Sequence, residues 1–275
     1  GMTAALKLAD QGFEVFLVEK EGALGGNLRH IYRTLDGIDV QRSLSDTIEK
    51  VTGHPLIHVE TGAAIVDHSG SKGNFSTGIV TGASKEYKKI GHGTIILATG
   101  GEELKPHGHF CYGEDGRVMT QHELEGKIAA GALGPFERCV MIQCVGSRNE
   151  ERPYCSRVCC STAIKNAIAL KEKRPEADVV VLYRDIRTYG FLERYYLEAR
   201  RLGVRFIRYD ISSQPVLEQK KGSLNLTCHD PSLMENISFD ADLIVLSSAI
   251  VPSDNKELAT LLKLPRTSEG FFLEA

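Results

Sequence analysis

The period of apolar and polar positions changes several times along the chain. The opening stretch "GMTAALKLADQG" puts Met2, Ala5, Leu6 and Ala9 on one helical face, and Gly12 follows where a helix stops. "FEVFLVEK" is a continuous apolar run rich in β-branched and aromatic residues, which predicts a buried strand. "SLSDTIEKVT" returns to helical spacing, with Ser43 or Ser45 as its cap. From Leu56 to Lys89, short strand-like runs alternate with turns such as "HSGSKGN" and "TGASKE", the pattern of a β-meander inserted in an α/β layer. "GTIILATGG" predicts an apolar strand that ends in glycines.

Residues 101–136 read as loops, with a helix near "TQHELEGKIAAG". A second α/β unit opens with the strand "RCVMIQCVG". It continues through the helix "STAIKNAIALKEK", the strand "DVVVLYRD", the helix "YGFLERYYLEARRLG" and the strand "VRFIRYD". A hairpin over "PVLEQKKGSLNLTC" and the strand "ADLIVLSSA" complete it. Alternating strands and helices predict parallel sheets wound on both faces, so the fold class is α/β with two Rossmann-like doubly wound units. The chain starts at Gly1 inside a helical pattern and stops at "SEGFFLEA" without a closing element, so it reads as an internal piece of a longer chain.

Composition narrows the function. With 275 residues and 42% hydrophobic content the chain can bury one large core or two ordinary ones. A net charge of −3 argues against a nucleic-acid surface or a polybasic membrane anchor. No apolar run approaches the roughly 20 residues that cross a bilayer, so no transmembrane segment is expected and the simplest location is cytoplasmic.

The first unit carries dinucleotide-site chemistry. In such a βαβ unit a glycine turn brings a pyrophosphate to a helix N-terminus, and an acid after the next strand binds ribose hydroxyls. Gly1 fits the last glycine of that turn and Glu19 fits the acid. "EKEGALGGNLR" adds Gly25 and Gly26, and "ATGG" adds Thr99 and Gly100 at the same edge. The order of acid, Gly-Gly, meander and Ala-Thr-Gly resembles the FAD domain of flavoproteins that bind two dinucleotides.

The second unit carries thiols where its own glycine turn would stand. Four of the seven cysteines, Cys144, Cys155, Cys159 and Cys160, fall in "CVGSRNEERPYCSRVCC". Cys144 ends a strand and the other three are expected to open a helix, with Cys155 and Cys159 four residues apart on one face. Four thiolates meeting at one point suit an iron–sulfur cluster, and a tetrahedral zinc is the alternative. Zinc sites usually use short C-x2-4-C pairs, whereas this spacing is C-x10-C-x3-C-C. Arg148, Arg152, Arg157 and the helix N-terminus supply positive potential for thiolates. Cys111, Cys139 and Cys228 read as buried thiols without chemistry. A nicotinamide site here is disfavoured, since only Gly146 remains of a glycine turn.

Taken together, "QCVGSRNEERPYCSRVCCSTAIKNA", "VLYRDIRTYGF" and the opening "GMTAALKLADQGFEVFLVEKEGALGGNLR" resemble the flavin-containing A-type component of heterodisulfide reductase. That family includes the related A-type proteins of quinone-interacting oxidoreductase complexes. The resemblance covers essentially the whole chain and matches the family's thioredoxin-reductase-like core. It implies an FAD-binding domain over 1–136, incomplete at its N-terminus and rejoined by 251–275, and a second Rossmann-like domain over 137–250 with the cysteines. It further implies an FAD lined by Gly1, Glu19, Lys20, Gly25, Gly26, Asn27, Thr99 and Gly100, and a [4Fe–4S] cluster on Cys144, Cys155, Cys159 and Cys160. Lys165 would reach toward the flavin ring, with Glu123 a weaker candidate. Arg184, Asp185 and Arg187 stand at a strand end, either as contacts to these groups or as a surface salt-bridge network. The implied activity is that of an oxidoreductase subunit that passes electrons between a two-electron and a one-electron carrier, a pairing that permits bifurcation. The implied partners are other electron-transfer subunits, or a second copy in a homodimer. A stand-alone NAD(P)H-dependent flavin oxidoreductase with a cysteine pair, and a cofactor-free scaffold, remain as alternatives.

Overall fold

The computed structural model describes residues 1–82, 86–220 and 222–274. The chain divides into two compact units, one of residues 1–29, 39–102 and 251–275, the other of 30–38 and 103–250. The boundary falls at 102 rather than 136. The reason is that Leu124, Ile128 and Phe136 belong to the core of the second unit.

In the first unit, α1 (Met2–Ala9) runs into β1 (Val15–Val18), which pairs in parallel with β2 (Ile57–Glu60). Helix α2 (Val40–Gly53) lies between them in sequence. Its cap is Asp39, whose carboxylate accepts from the Arg42 N–H, so the helix begins before either serine expected to cap it. Ala5, Ala9, Leu24, Val51 and Ile57 form the core of this unit. An antiparallel meander follows: β3 (Ala63–Ser71), β4 (Asn74–Thr81) and β5 (Glu86–His92). The turn read at "TGASKE" falls largely on 83–85, outside the described residues. The apolar run Ile95–Ala98 forms no strand, and Ile96 is exposed; pairing begins only at β6 (Gly101–Glu103).

The second unit is built on a five-stranded sheet. Its strands are β7 (Val118–Thr120), β8 (Arg138–Val145), β9 (Asp178–Tyr183), β10 (Arg205–Arg208) and β14 (Leu243–Ser248). The order is β10-β9-β8-β14-β7, and every pair is parallel. Helices α3 (Gln121–Ala130), α4 (Cys159–Lys173) and α5 (Glu193–Arg201) connect them. Side chains alternate with period two. Cys139, Met141, Val179, Val181, Leu243 and Val245 face the helices. Val140, Ile142, Val180, Leu182, Ile244 and Leu246 face Leu224, Leu226, Cys228 and Phe239. Those last residues come from a second antiparallel meander, β11 (Val216–Lys220), β12 (Ser223–Asp230) and β13 (Glu235–Ala241). The α/β class holds, but helices cover only one face of this sheet and the meander covers the other. The chain then returns to the first unit through β15 (Ile250–Pro252) and α6 (Lys256–Leu261). Among the described residues no helix is long and apolar enough to cross a membrane.

Candidate functional site

The cysteine site is shaped by an irregularity at the end of β8. Between Ile142↔Leu246 and Val145↔Ser248, β8 advances three residues while β14 advances two. This is a bulge, and it contains Cys144, whose φ of 63° is left-handed. Arg148 and Arg157 in the loop that follows are also left-handed, with φ of 56° and 65°. Such strain in bulky residues persists only where surrounding contacts impose it. Here the Arg148 N–H donates to the Tyr154 carbonyl, the Tyr154 hydroxyl to the Ile250 carbonyl, and the Ile250 N–H to Ser156 Oγ.

Helix α4 starts at Cys159, so Cys155 lies in the loop and not on the helix face it was expected to share with Cys159. Nor do the four thiols meet at one point: among the described residues no three His, Cys, Asp or Glu side chains converge as a site for a single metal ion. They do act on one another. The adjacent Cys159 and Cys160 thiols share a hydrogen bond, which drives the Cys159 thiol far up and draws the Cys160 thiol below its usual value. The charges of Cys144 and Cys155 add to the upward push on Cys159. Burial raises Cys144, opposed by the Arg148 guanidinium 3.9 Å from its sulfur. The Arg157 N–H donates to Cys155 Sγ at 3.3 Å. The Asp185 carbonyl accepts from Cys160 Sγ at 3.8 Å.

The charged residues after β9 brace this loop. Asp185 pairs with Arg148 and Arg187, and Arg184 Nη1 donates to the Arg148 carbonyl at 2.7 Å. Arg152 turns instead to Glu151. A cavity of about 20 Å³, room for one water, abuts Cys159 and is also lined by Glu103, His122, Thr162 and Ser248. Glu103 Oε2 and Ser248 Oγ are buried there without a hydrogen-bond partner among the described residues. Burial holds the Glu103 carboxyl above its ordinary pKa.

Lys165 is neither solvated nor pointed at open space. Its ammonium sits 2.7 Å from both Glu125 oxygens and donates to the Arg33 carbonyl at 2.9 Å. Burial pushes its pKa down against the pull of Glu125. Glu125 in turn accepts from the Tyr32 N–H at 2.7 Å, so the pair pins residues 32–33 to α3 and α4. Glu125 was not singled out from sequence. The signal was available, because Gln121, Leu124, Glu125 and Ile128 share the buried stripe of α3, and a carboxylate in such a stripe needs a cation. Glu123 closes a capping box with Thr120. Burial pushes the Glu123 carboxyl up, but hydrogen bonds from Thr120 N–H, Tyr112 and Lys105 hold it below the usual range. Cys139 and Cys228 are fully buried core thiols; burial raises Cys228 to about 11. Cys111 is half-buried.

The other candidates gather at one edge of the first unit. Gly1 caps α1 without a side-chain hydrogen bond, and a Cβ there would touch Leu17 and Ala98. Glu19 follows β1, and its carboxylate accepts from the Glu21 N–H at 3.0 Å; Lys20 is exposed beside it. Gly25 has φ 120°, and a Cβ would press on Arg29 at 3.0 Å and Leu44 at 3.1 Å, so only glycine fits. Gly26 and Gly100 are left-handed with open space around them. Asn27 Nδ2 donates to the Gly101 carbonyl, which ties the Gly-Gly turn to Thr99 and Gly100. Left-handed glycines with open space around them suit the close approach of a ligand to the backbone.

No family model matches the chain. It is 30% identical to the iron-sulfur A component of the CoB–CoM heterodisulfide reductase of Methanocaldococcus jannaschii. It is 31% identical to the A component of the H(2)/formate:CoB-CoM heterodisulfide,ferredoxin reductase of Methanococcus maripaludis. Both alignments cover all of this chain and 56% of the relative. An A-like heterodisulfide reductase protein of Archaeoglobus profundus is 35% identical over 57% of this chain and 23% of its own length. Among solved structures, thioredoxin reductase of Lactococcus lactis superposes with a TM-score of 0.66 at 16% identity, covering 100% of this chain and 81% of that one. Thioredoxin reductase of T. acidophilum gives 0.65 at 14% identity, covering 99% and 80%. These likenesses establish a thioredoxin-reductase-like fold. The chain spans about half the length of the curated relatives it matches, and over that span it is similar to the A components of heterodisulfide reductases.

Proposed function

We propose that the chain is the core of an oxidoreductase subunit of a heterodisulfide-reductase-type complex, holding FAD in its first unit and a [4Fe–4S] cluster in its second. The observation that carries this reading is the placing of four thiols around the bulge at Cys144 and the start of α4, with Cys159 interacting with each of the other three. A cubane cluster is held at its corners, so its thiolates stand farther apart than the ligands of a single ion. That suits four sulfurs that interact without converging. Arg148 and the Arg157 N–H supply the positive potential that thiolate ligands need. Gly1, Glu19, Lys20, Gly25, Gly26, Asn27, Thr99 and Gly100 would hold the flavin: the α1 start for the pyrophosphate, Glu19 for the ribose and the glycines for close approach.

When bound, the flavin supplies two-electron chemistry and the cluster one-electron chemistry. The residues of the chain bind, orient and screen these groups. Lys165, fixed by Glu125, is a cation held in place for tuning and not a proton donor in contact with solvent. The partners in this reading are other electron-transfer subunits of a cytoplasmic complex.

A thiol-based flavin oxidoreductase is the second reading, favoured by the hydrogen-bonded Cys159–Cys160 pair. Iron, sulfide and flavin analysis of anaerobically prepared wild type and Cys159→Ser separates the two. About four irons per chain, lost in the variant while flavin stays, support the cluster. Flavin without iron in wild type supports the thiol reading.

A further inference from the structure

The antiparallel meander of the first unit holds a histidine cluster that the flavin and cluster reading does not use. His68 of β3, Thr77 of β4 and His92 of β5 meet on one face of three adjacent strands. The Thr77 hydroxyl, on a residue 5% exposed, lies 2.9 Å from His68 Nδ1 and 2.7 Å from His92 Nε2. His92 Nδ1 lies 3.1 Å from the Thr94 carbonyl. The rings of His68, Phe75 and His92 pack together, with centroids 5.1, 5.8 and 6.0 Å apart. These contacts fix where the protons sit. A carbonyl only accepts, so His92 Nδ1 carries a proton. In the neutral ring Nε2 is then an acceptor, and the Thr77 hydroxyl donates to it. The Thr77 oxygen in turn accepts from the N–H at His68 Nδ1. One chain of donors therefore runs from His68 through Thr77 and His92 to Thr94. It ties all three strands to the segment that leads to Thr99 and Gly100.

We propose that this chain of hydrogen bonds is a pH-sensitive clasp: a proton taken up at His92 Nε2 removes the acceptor of the Thr77 hydroxyl and loosens the pairing of β5 with β4. Protonated Nε2 is a donor, and it points at an oxygen that already accepts from His68. The Thr77 proton is then left without its partner in a buried site, which is costly. The new imidazolium also faces the His68 ring across 6.0 Å. A proton on His68 Nε2 leaves the chain intact, because no bond in it uses that atom. His92 is therefore the switching residue. Burial lowers its pKa, the Thr94 carbonyl opposes that, and the charge of His68 adds to it, with a lowered net result. His68 is the one charge that acts on His92 among the described residues. Asp67 and Lys72 of β3 and its turn do not, nor do Glu86, Lys88 and Lys89 of β5, nor Lys256 and Glu257 of α6, which packs on β3. Asp67 accepts from the Tyr87 hydroxyl, and Lys88 pairs with Glu60. A lowered folded pKa means that the stability contributed by the clasp is complete above pH 6.5, the reference value, and is lost as pH falls toward the folded value.

The proposal does not rest on the flavin and cluster reading. It is tested on the 275-residue chain by two measurements. Histidine ring resonances are followed by NMR from about pH 8 to about pH 5. The His92 signal is assigned by its loss in His92→Phe, or in His92→Gln should the first variant fail to fold. It should titrate below the reference value of 6.5, and move upward in His68→Phe, where the facing charge is gone. Hydrogen exchange over the same range supplies protection factors for the β5 amides. They should fall about fivefold in wild type as pH drops, the worth of one hydrogen bond, and change clearly less in Thr77→Val, which lacks the clasp. A purely structural Thr77 would lower protection at every pH and leave the profile unchanged. A His92 that titrates at or above 6.5, or β5 protection that falls equally with pH in wild type and Thr77→Val, overturns the proposal.

Discussion

Strands β1 and β9 look alike in sequence, "VFLV" against "DVVVLY", yet they sit in different surroundings. Every residue of β1 is half-buried, and the strand pairs with β2 alone among the described residues. Val179, Val180, Val181 and Leu182 of β9 are fully buried between β8 and β10, with helices on one face and the meander on the other. An apolar run therefore signals a strand, while its depth depends on what covers both faces and both edges. The difference assigns roles. The second unit has a core able to hold strained cysteine geometry rigidly. The first has a thin parallel layer, and its glycine edge would gain order from a ligand.

Breaking the buried pair of the second unit should have the largest effect. Lys165→Met leaves the Glu125 carboxylate uncompensated and should cost about 3–5 kcal/mol by urea unfolding. Lys165→Met combined with Glu125→Leu should cost clearly less than the two single changes added together. Additive losses would mean that the pair does not act as a unit. Next comes a direct contrast of the two sheets. Ile244→Ala in β14 should cost about 2–5 kcal/mol, and Leu17→Ala in half-buried β1 less than about 2 kcal/mol. Hydrogen exchange should follow suit, with β9 and β14 amides slowest and β1 amides faster; equal protection would erase the distinction.

The smallest effect concerns Asp115, which tethers the start of β7. Hydrogen bonds from Arg117 lower its carboxyl to about 2, from a reference value of 3.8. A lowered folded pKa means that this stabilisation is complete above about pH 4 and is lost as pH falls toward 2. Asp115→Asn should cost about 1–2 kcal/mol at neutral pH. The gap between wild type and variant should then close between pH 4 and 2, and a gap that persists at pH 2 would remove Asp115 as its cause.

Period and composition alone revealed the alternation of strands and helices and the clustering of thiols. Three features were hidden because they depend on distant contacts. Ile95–Ala98 has the sequence of a buried strand but no pairing partner among the described residues. β13, "ENISFDA", has mostly exposed side chains, so its two buried positions, Phe239 and Ala241, give a faint alternation. The bulge at Cys144 depends on the register against β14, a strand about a hundred residues away that no local pattern reveals. Cys155 leaves the helix face that spacing suggested because α4 starts only at Cys159.

The most direct test of the cluster assignment is a low-temperature electron paramagnetic resonance spectrum of the chemically reduced protein, recorded for wild type, for Ser variants at Cys144, Cys155, Cys159 and Cys160, and for Cys111→Ser. The account predicts one iron–sulfur spin signal in wild type and Cys111→Ser, and its loss or alteration in each of the other four. A wild-type protein that carries flavin and free thiols but no iron-dependent signal would contradict it.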